Sequence, residues 1–359
     1  MQHKHIVIGL GNTGSQIVKL AAASDKLTDT KFYAIDSVAS SIDMKSLKNV
    51  TPIPIISDEN TGSGRVRERG AEMMRMHLNS IEITNMIREC NEAALPVVVI
   101  SSSAGGTGSG AIVPLCRQLL KDIPDITLIP IIIVPAMDDP IAYHMNTSDL
   151  FTELGELGLT SYSVFRNKSR TSNYTEINQE VVTAIEIMQG KWYESTNVDS
   201  IDDSDRKNVF STPGRLVIVK AEATNTNGLV RNVSEKVLNG NQPWVDPGKN
   251  FGILAFSLKS TFAKDDIDKV FDAVRIRCMG RLDEYKDIVE EHTDTMVATC
   301  IVSGLPNVKT PDINIDEFHE ASGIADGMKK SSRPSFLNRN KTVSQKPQSR
   351  VGGLEIRDD

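Results

Sequence analysis

Two glycine clusters dominate the chemistry open to this sequence. Gly9-Leu10-Gly11-Asn12-Thr13-Gly14 follows one apolar, β-prone run, and Gly105-Gly106-Thr107-Gly108-Ser109-Gly110 follows another. Glycine admits positive φ and lets a ligand approach the backbone closely. Where such a cluster opens a helix, free N–H groups and the helix dipole favour an anion. Thr107 and Ser109 add hydroxyl donors. Two such cradles on one crevice suit a polyphosphate better than a single charged group. Neither carries the Gly-Lys-Ser/Thr of a P-loop, which argues against a Walker-type nucleotidase. The first cluster alone also fits Gly-x-Gly-x-x-Gly. Asp36 lies 22 residues after Gly14, where a dinucleotide fold places its ribose-binding acid. An NAD-dependent enzyme therefore stays open on that cluster.

The clusters can meet only if their strands are neighbours. Strand signals fall at His5–Gly9, Lys31–Asp36, Val50–Ile56, Pro96–Ile100, Thr127–Val134 and Ser161–Phe165, with helical segments at Ser15–Ala23, Val66–Glu92 and Gly110–Lys121 between them. Such alternation reads as a doubly wound parallel sheet, an α/β fold, covered on both faces. Right-handed crossovers in the usual order set the first and fourth strands side by side, so both clusters open at the switch point. A long helix over Thr175–Ser195 carries Ile177, Val181, Val182, Ile185 and Met188 near helical spacing. Beyond it a smaller α+β unit is expected, with strands Arg215–Ala221, Phe251–Leu258 and Thr295–Ser303 and a helix over Asp265–Leu282. A last helix is expected over Asp316–Lys330.

The chain has 359 residues, a length for two domains, and a formal net charge of -7. Lys329, Lys330, Arg333, Arg339, Lys341, Lys346 and Arg350 place seven basic residues in a stretch without acids. The remainder therefore sums to about -14, from -7 minus 7. A body of that sign argues against non-specific nucleic-acid binding by the main surface. From Ser331 onward the composition is too polar to order itself, giving an expected disordered, basic tail. No apolar run reaches the ~18 residues of a membrane span, so no direct membrane insertion is expected. Cys90, Cys116, Cys278 and Cys300 are scattered, as reduced cytoplasmic thiols would be, and no cluster suggests a metal site.

Ser103-Ala104-Gly105-Gly106-Thr107-Gly108-Ser109-Gly110 resembles the signature loop of the tubulin/FtsZ superfamily, and the likeness continues in order along the chain. Gly9–Gln16 resembles the first nucleotide loop and Ala34–Ser37 the second. Gly62-Ser63-Gly64 resembles the third, which faces the γ-phosphate, and Pro135–Asp139 the fifth, which reaches the ribose. Asn167 stands where the family binds guanine. Tyr174 and Asn178, four apart on one helix face, match its stacking aromatic and edge-binding amide. Asn197-Val198-Asp199-Ser200-Ile201-Asp202 resembles the acidic loop that enters the next subunit's pocket and completes the GTPase.

The resemblance implies a GTP and Mg2+ site built from Gly11, Asn12, Thr13, Gln16, Gly64, Ala104, Gly105, Gly106, Thr107, Gly108, Ser109, Asp139, Asn167, Tyr174 and Asn178. It implies Asp202 as the catalytic acid, helped by Asp199, although Asp203 and Asp205 leave the register open. Residues 1–173 would be the GTP-binding domain and 174–197 the central helix and start of the acidic loop. Residues 198–310 would be the GTPase-activating domain, 311–330 a C-terminal helix and 331–359 the tail. The implied activity is GTP hydrolysis on head-to-tail assembly into cytoplasmic filaments. The chain looks most like the plasmid and phage tubulins, the TubZ/PhuZ group, which would give it plasmid or phage DNA as cargo and a DNA-binding adaptor on the basic tail. Pro334–Arg339 resembles the FtsZ tail peptide instead and keeps a cell-division or shape filament open. Two departures stand out. The signature loop has the tubulin-like Ser where FtsZ loops carry an extra Gly and Thr. The family's Arg near the fifth loop is absent, with Tyr143 in its neighbourhood.

Overall fold

A computed structural model describes residues 5–305 apart from 45, 48, 57–61, 94–95, 160, 170, 172–173, 190–200, 240–253, 260–263, 279–283 and 290–294. The expected C-terminal helix, the tail and Asp199 lie outside the described residues. Met1–Pro311 form one compact unit.

The first half alternates as the sequence suggests: β1 (His5–Leu10), α1 (Gly11–Ala21), β2 (Thr30–Asp36), β3 (Val50–Pro54), α2 (Arg67–His77), α3 (Ile81–Asn91), β4 (Val97–Ser102), α4 (Thr107–Asp122), β5 (Leu128–Val134), α5 (Ile141–Gly155) and β6 (Ser161–Arg166). After α6 (Tyr174–Gln189) come α7 (Asp203–Ser211), β7 (Gly214–Ala223), α8 (Thr226–Asn239), β8 (Leu254–Lys259), α9 (Lys264–Cys278), β9 (Glu284–Val289) and β10 (Met296–Leu305). All ten strands join one sheet in the order β3-β2-β1-β4-β5-β6-β7-β10-β8-β9. Pairing is parallel from β3 through β7, and β10 runs antiparallel to both of its neighbours.

Strand alternation sorts the core into two layers. Val7, Phe32, Ala34, Val98 and Ile131 face one side, where α1 and α6 cover them. Ile6, Ile8, Tyr33, Val99 and Ile132 face the other, under α2 to α5. The expected apolar stripe of α6 is there: Val181, Ile185 and Met188 are fully buried in the first layer, together with Leu216 and Ile218 of β7. A third cluster joins β7 and β10 to Leu229, Val233, Val270 and Phe271 of α8 and α9, which answers to the smaller α+β unit. Its strands continue the same sheet.

The helix expected over Val66–Glu92 is two helices. Ser80 ends the run, its Oγ accepting from Ile83 N at 3.3 Å to cap α3. At the sheet margin, Ile55 N donates to Asp36 O at 3.0 Å, so the odd residues of β3 turn their N–H groups toward β2. Pro52 and Pro54 occupy the alternate, outward positions.

Candidate functional site

β1 and β4 are hydrogen-bonded neighbours, with Leu10 opposite Ser101. The two glycine turns that follow them therefore meet at the carboxyl ends of the strands. Gly11 has φ 67°, and a Cβ there would lie 2.8 Å from Gly108 N. A Cβ on Gly108 would lie 2.6 Å from Leu10 O, and one on Gly106 would lie 2.3 Å from Ser63 Oγ and 2.8 Å from the Arg65 backbone. These glycines are required by close packing of one turn on the next. Gly105 differs. A Cβ there would meet nothing within 4 Å, and its φ is not in the left-handed region, so protein packing does not explain it.

Gly105 opens on a cavity of about 400 Å3, a volume typical of small-molecule sites. Nine of the fifteen expected binding residues line it: Asn12, Thr13 and Gln16 from the first turn of α1 and beyond, Ala104 and Gly105, Asp139, Asn167, Tyr174 and Asn178. Arg65, Ser102, Ile133 and Tyr143 complete the lining. Gly11, Gly106 and Gly108 form the packed framework behind it, and Gly64, at φ 61°, precedes Arg65. The hydroxyls of Thr107 and Ser109, expected as ligand donors, are engaged within the protein. Thr107 Oγ1 bonds Ser37 Oγ at 2.7 Å and Ser63 Oγ at 3.0 Å. Ser109 Oγ is fully buried and accepts from Arg67 Nε at 2.9 Å.

That same Arg67 is buried and forks onto Glu153, at 2.6 and 2.9 Å, locking α2, α4 and α5 together. Its guanidinium holds the Glu153 carboxyl below the usual carboxylate range. α5 also clamps the second glycine turn directly. Asn146 Nδ2 donates to Ala104 O at 3.0 Å, and Thr147 Oγ1 bonds Ser103 Oγ at 2.7 Å. Sequence reasoning missed this helix and its role, because its polar residues face the loop and blur the apolar period.

At the other end, Asn167 follows β6, its N–H tied to Val134 O at 3.1 Å. Among the described residues its Oδ1 has no hydrogen-bond partner, although it is buried. Tyr174 and Asn178 rise beside it from the start of α6, and Tyr174 is 49% exposed. Asp139 is buried, its Oδ2 accepting from Ala136 N at 2.8 Å. Asp36, the acid that kept a dinucleotide in view, is outside the lining. It is 3% exposed and accepts from Ser37 N at 2.7 Å and from the Ser41 hydroxyl. Burial pushes its carboxyl above the usual range. It is not placed to hold a ribose in the cavity.

Asp202 is exposed and caps α7 in a reciprocal capping box. Its Oδ1 accepts from Asp205 N at 2.8 Å, and Asp205 Oδ2 accepts from Asp202 N at 3.2 Å. It does not line the cavity of its own chain. Among the described residues no group of three or more His, Cys, Asp or Glu side chains forms a metal cluster, and no helix is long and apolar enough to cross a membrane.

Fold and cavity together define a doubly wound α/β protein with a polar crevice at its switch point. Residues 4–172 match the Tubulin/FtsZ family, GTPase domain. It is 25% identical over 241 residues to the cell division protein FtsZ of Helicobacter pylori, an alignment covering 62% of this chain and 57% of that protein. The chain thus spans under two thirds of that relative's length. Among solved structures, GDP-bound CetZ1 from Haloferax volcanii superposes with TM-score 0.69 at 18% identity, over 89% of this chain and 98% of that one. A GTPγS-form protofilament of TubZ from Bacillus thuringiensis serovar israelensis gives TM-score 0.69 at 17% identity, over 89% and 93%. These structural likenesses are likenesses of fold.

Proposed function

We propose that this chain is a GTPase that binds GTP in the cavity, assembles head to tail, and hydrolyses the nucleotide between successive copies. The observation that carries the reading is the convergence of nine expected binding residues on one cavity, with the Asn167 Oδ1 acceptor unmatched inside it. An amide acceptor there selects guanine, whose N–H edge adenine lacks. Tyr174 would stack on the base and Asn178 bond its edge. Asp139 would reach the ribose, and the 104–108 backbone with Asn12 and Thr13 would hold the phosphates. Mg2+ would ride on the phosphate oxygens and water, since it takes few protein ligands.

In this reading residues 1–173 hold the nucleotide, 174–197 connect, and 198–310 present the activating surface. Asp202, with Asp199, would project into the cavity of the next copy and orient the attacking water. Exposure of Asp202 and its absence from its own chain's cavity support that role. A heterologous contact that does not close yields a filament. The motif likeness to plasmid and phage tubulins favours moving or positioning DNA, with the basic tail docking an adaptor. A second reading, a division or shape filament, is favoured by the alignment with FtsZ.

Electron microscopy with GTP and with GTPγS tests assembly, and a failure of both to give filaments would end the polymer reading. Asp202→Asn is the cleaner catalytic variant, because Asn caps a helix as well as Asp does. It should bind GTP normally, stop turnover and leave stable filaments. Undiminished turnover would remove the acidic loop from the mechanism.

A further inference from the structure

Three residues of α5 reach the walls of the cavity, and two of them have been given a task. Asn146 and Thr147 hold the second glycine turn at Ala104 and Ser103. His144, three residues before Thr147, is 6% exposed, and its ring hydrogen-bonds the backbone of Asp139 and of Ala136. Burial pushes the imidazole below its ordinary value, although Asp139 draws it up. Near neutrality the ring therefore carries no charge into the wall and serves as an N–H donor.

The turn it grips is closed on itself. Asp139 N donates to Ala136 O at 3.1 Å, and Asp139 Oδ2 accepts from Ala136 N at 2.8 Å. Those two bonds set the shape of the turn but not its place in the molecule. From outside, Ser169 Oγ donates to Asp138 Oδ2 at 3.0 Å, an exposed bond for which water competes. His144 supplies a buried tether, from a helix that starts directly after Pro140. One oxygen of Asp139 is committed within the turn, so the direction in which its carboxylate meets a ligand follows the turn. Asp139 lines the cavity and His144 stands behind it.

We propose that His144 is a positioning residue, holding the 136–139 turn so that the Asp139 carboxylate meets the ribose hydroxyls of a bound nucleotide. α5 then sets two walls of one cavity against each other, the glycine turn through Asn146 and Thr147 and the acid through His144. This rests on the proposed reading of the cavity as the GTP site with Asp139 at the ribose.

The ratio of affinities for GDP and 2′,3′-dideoxyGDP isolates the ribose contact, and neither ligand is consumed during the measurement. Calorimetry on the full chain with Mg2+ should show the unmodified protein preferring GDP by about tenfold, the worth of one charge-assisted hydrogen bond. His144→Leu fills the buried space without a donor. It is expected to bring the ratio close to one by weakening GDP, with the dideoxy ligand changed less than about twofold. Should that variant not fold, His144→Ala makes the same test. His144→Asn and His144→Gln keep an N–H donor, and at least one of them should retain the preference. Equal losses of both ligands, an unchanged ratio, or amide variants no better than His144→Leu would overturn the proposal. An unmodified protein that binds the two ligands alike would instead remove Asp139 from the ribose, and one that binds neither would remove the site reading; each takes this inference with it.

Discussion

At the glycine-turn end of the cavity there is almost no slack. A Cβ on Gly108 would meet Leu10 O at 2.6 Å, and one on Gly110 would meet Arg67 O at 2.1 Å. At the other end Tyr174 is half exposed, and Asn178 stands one helical turn further on. One end is backbone, fixed when the sheet folds. The other is side chains at the start of α6, with Tyr174 half exposed. If the cavity holds GTP as proposed, the contrast separates two tasks. Phosphate is the same in every nucleotide and suits a cradle that stability itself maintains. The base carries the selectivity, and residues that choose it can change without cost to the fold.

This contrast makes Gly106 a sensitive position. Gly106→Ala should cost about 3 kcal/mol, because the new methyl collides with backbone that cannot retreat. Thermal melting would register it, and an unchanged midpoint would show the 62–66 turn to be loose. Arg67→Met should cost about 2 kcal/mol by leaving Ser109 and Glu153 without their shared partner, again read by melting. Tyr174→Ala should leave melting alone and weaken GTP by roughly tenfold, one stacking interaction. Gly105→Ala is the counterpart to Gly106→Ala. It should leave the melting midpoint alone and lower GTP affinity severalfold, and a destabilised protein would deny that a ligand explains this glycine.

The smallest effect concerns pH. The hydrogen bond from Arg67 holds the Glu153 carboxyl below its ordinary value of 4.5. The pair therefore stabilises the folded chain fully above that value and loses its contribution as pH falls through the lowered one. Glu153 is 42% exposed, so the gain is under about 1 kcal/mol. Glu153→Gln should flatten the melting temperature against pH below 4.5 and change little at neutrality.

The sequence made the glycine-turn end easier to read than its supports. Glycine clusters after apolar runs advertise both turns, and the pairing of β1 with β4 follows from handed crossovers. Tyr174 and Asn178 were legible by their spacing. α5 was not, since Asn146 and Thr147 turn polar groups inward to hold the second glycine turn. β9, Glu-Tyr-Lys-Asp-Ile-Val, lacks an apolar run, and its pairing with β8 is a long-range fact. α7 begins in an acidic stretch that reads as loop until the Asp202–Asp205 box is seen.

The margin at β3 has its own consequence. An outermost strand ordinarily offers a row of donors on which any extended segment can add. Here two consecutive outward positions are Pro52 and Pro54, which have no N–H to offer. Under the proposed head-to-tail assembly, a margin short of outward donors would discourage copies from zipping together flank to flank.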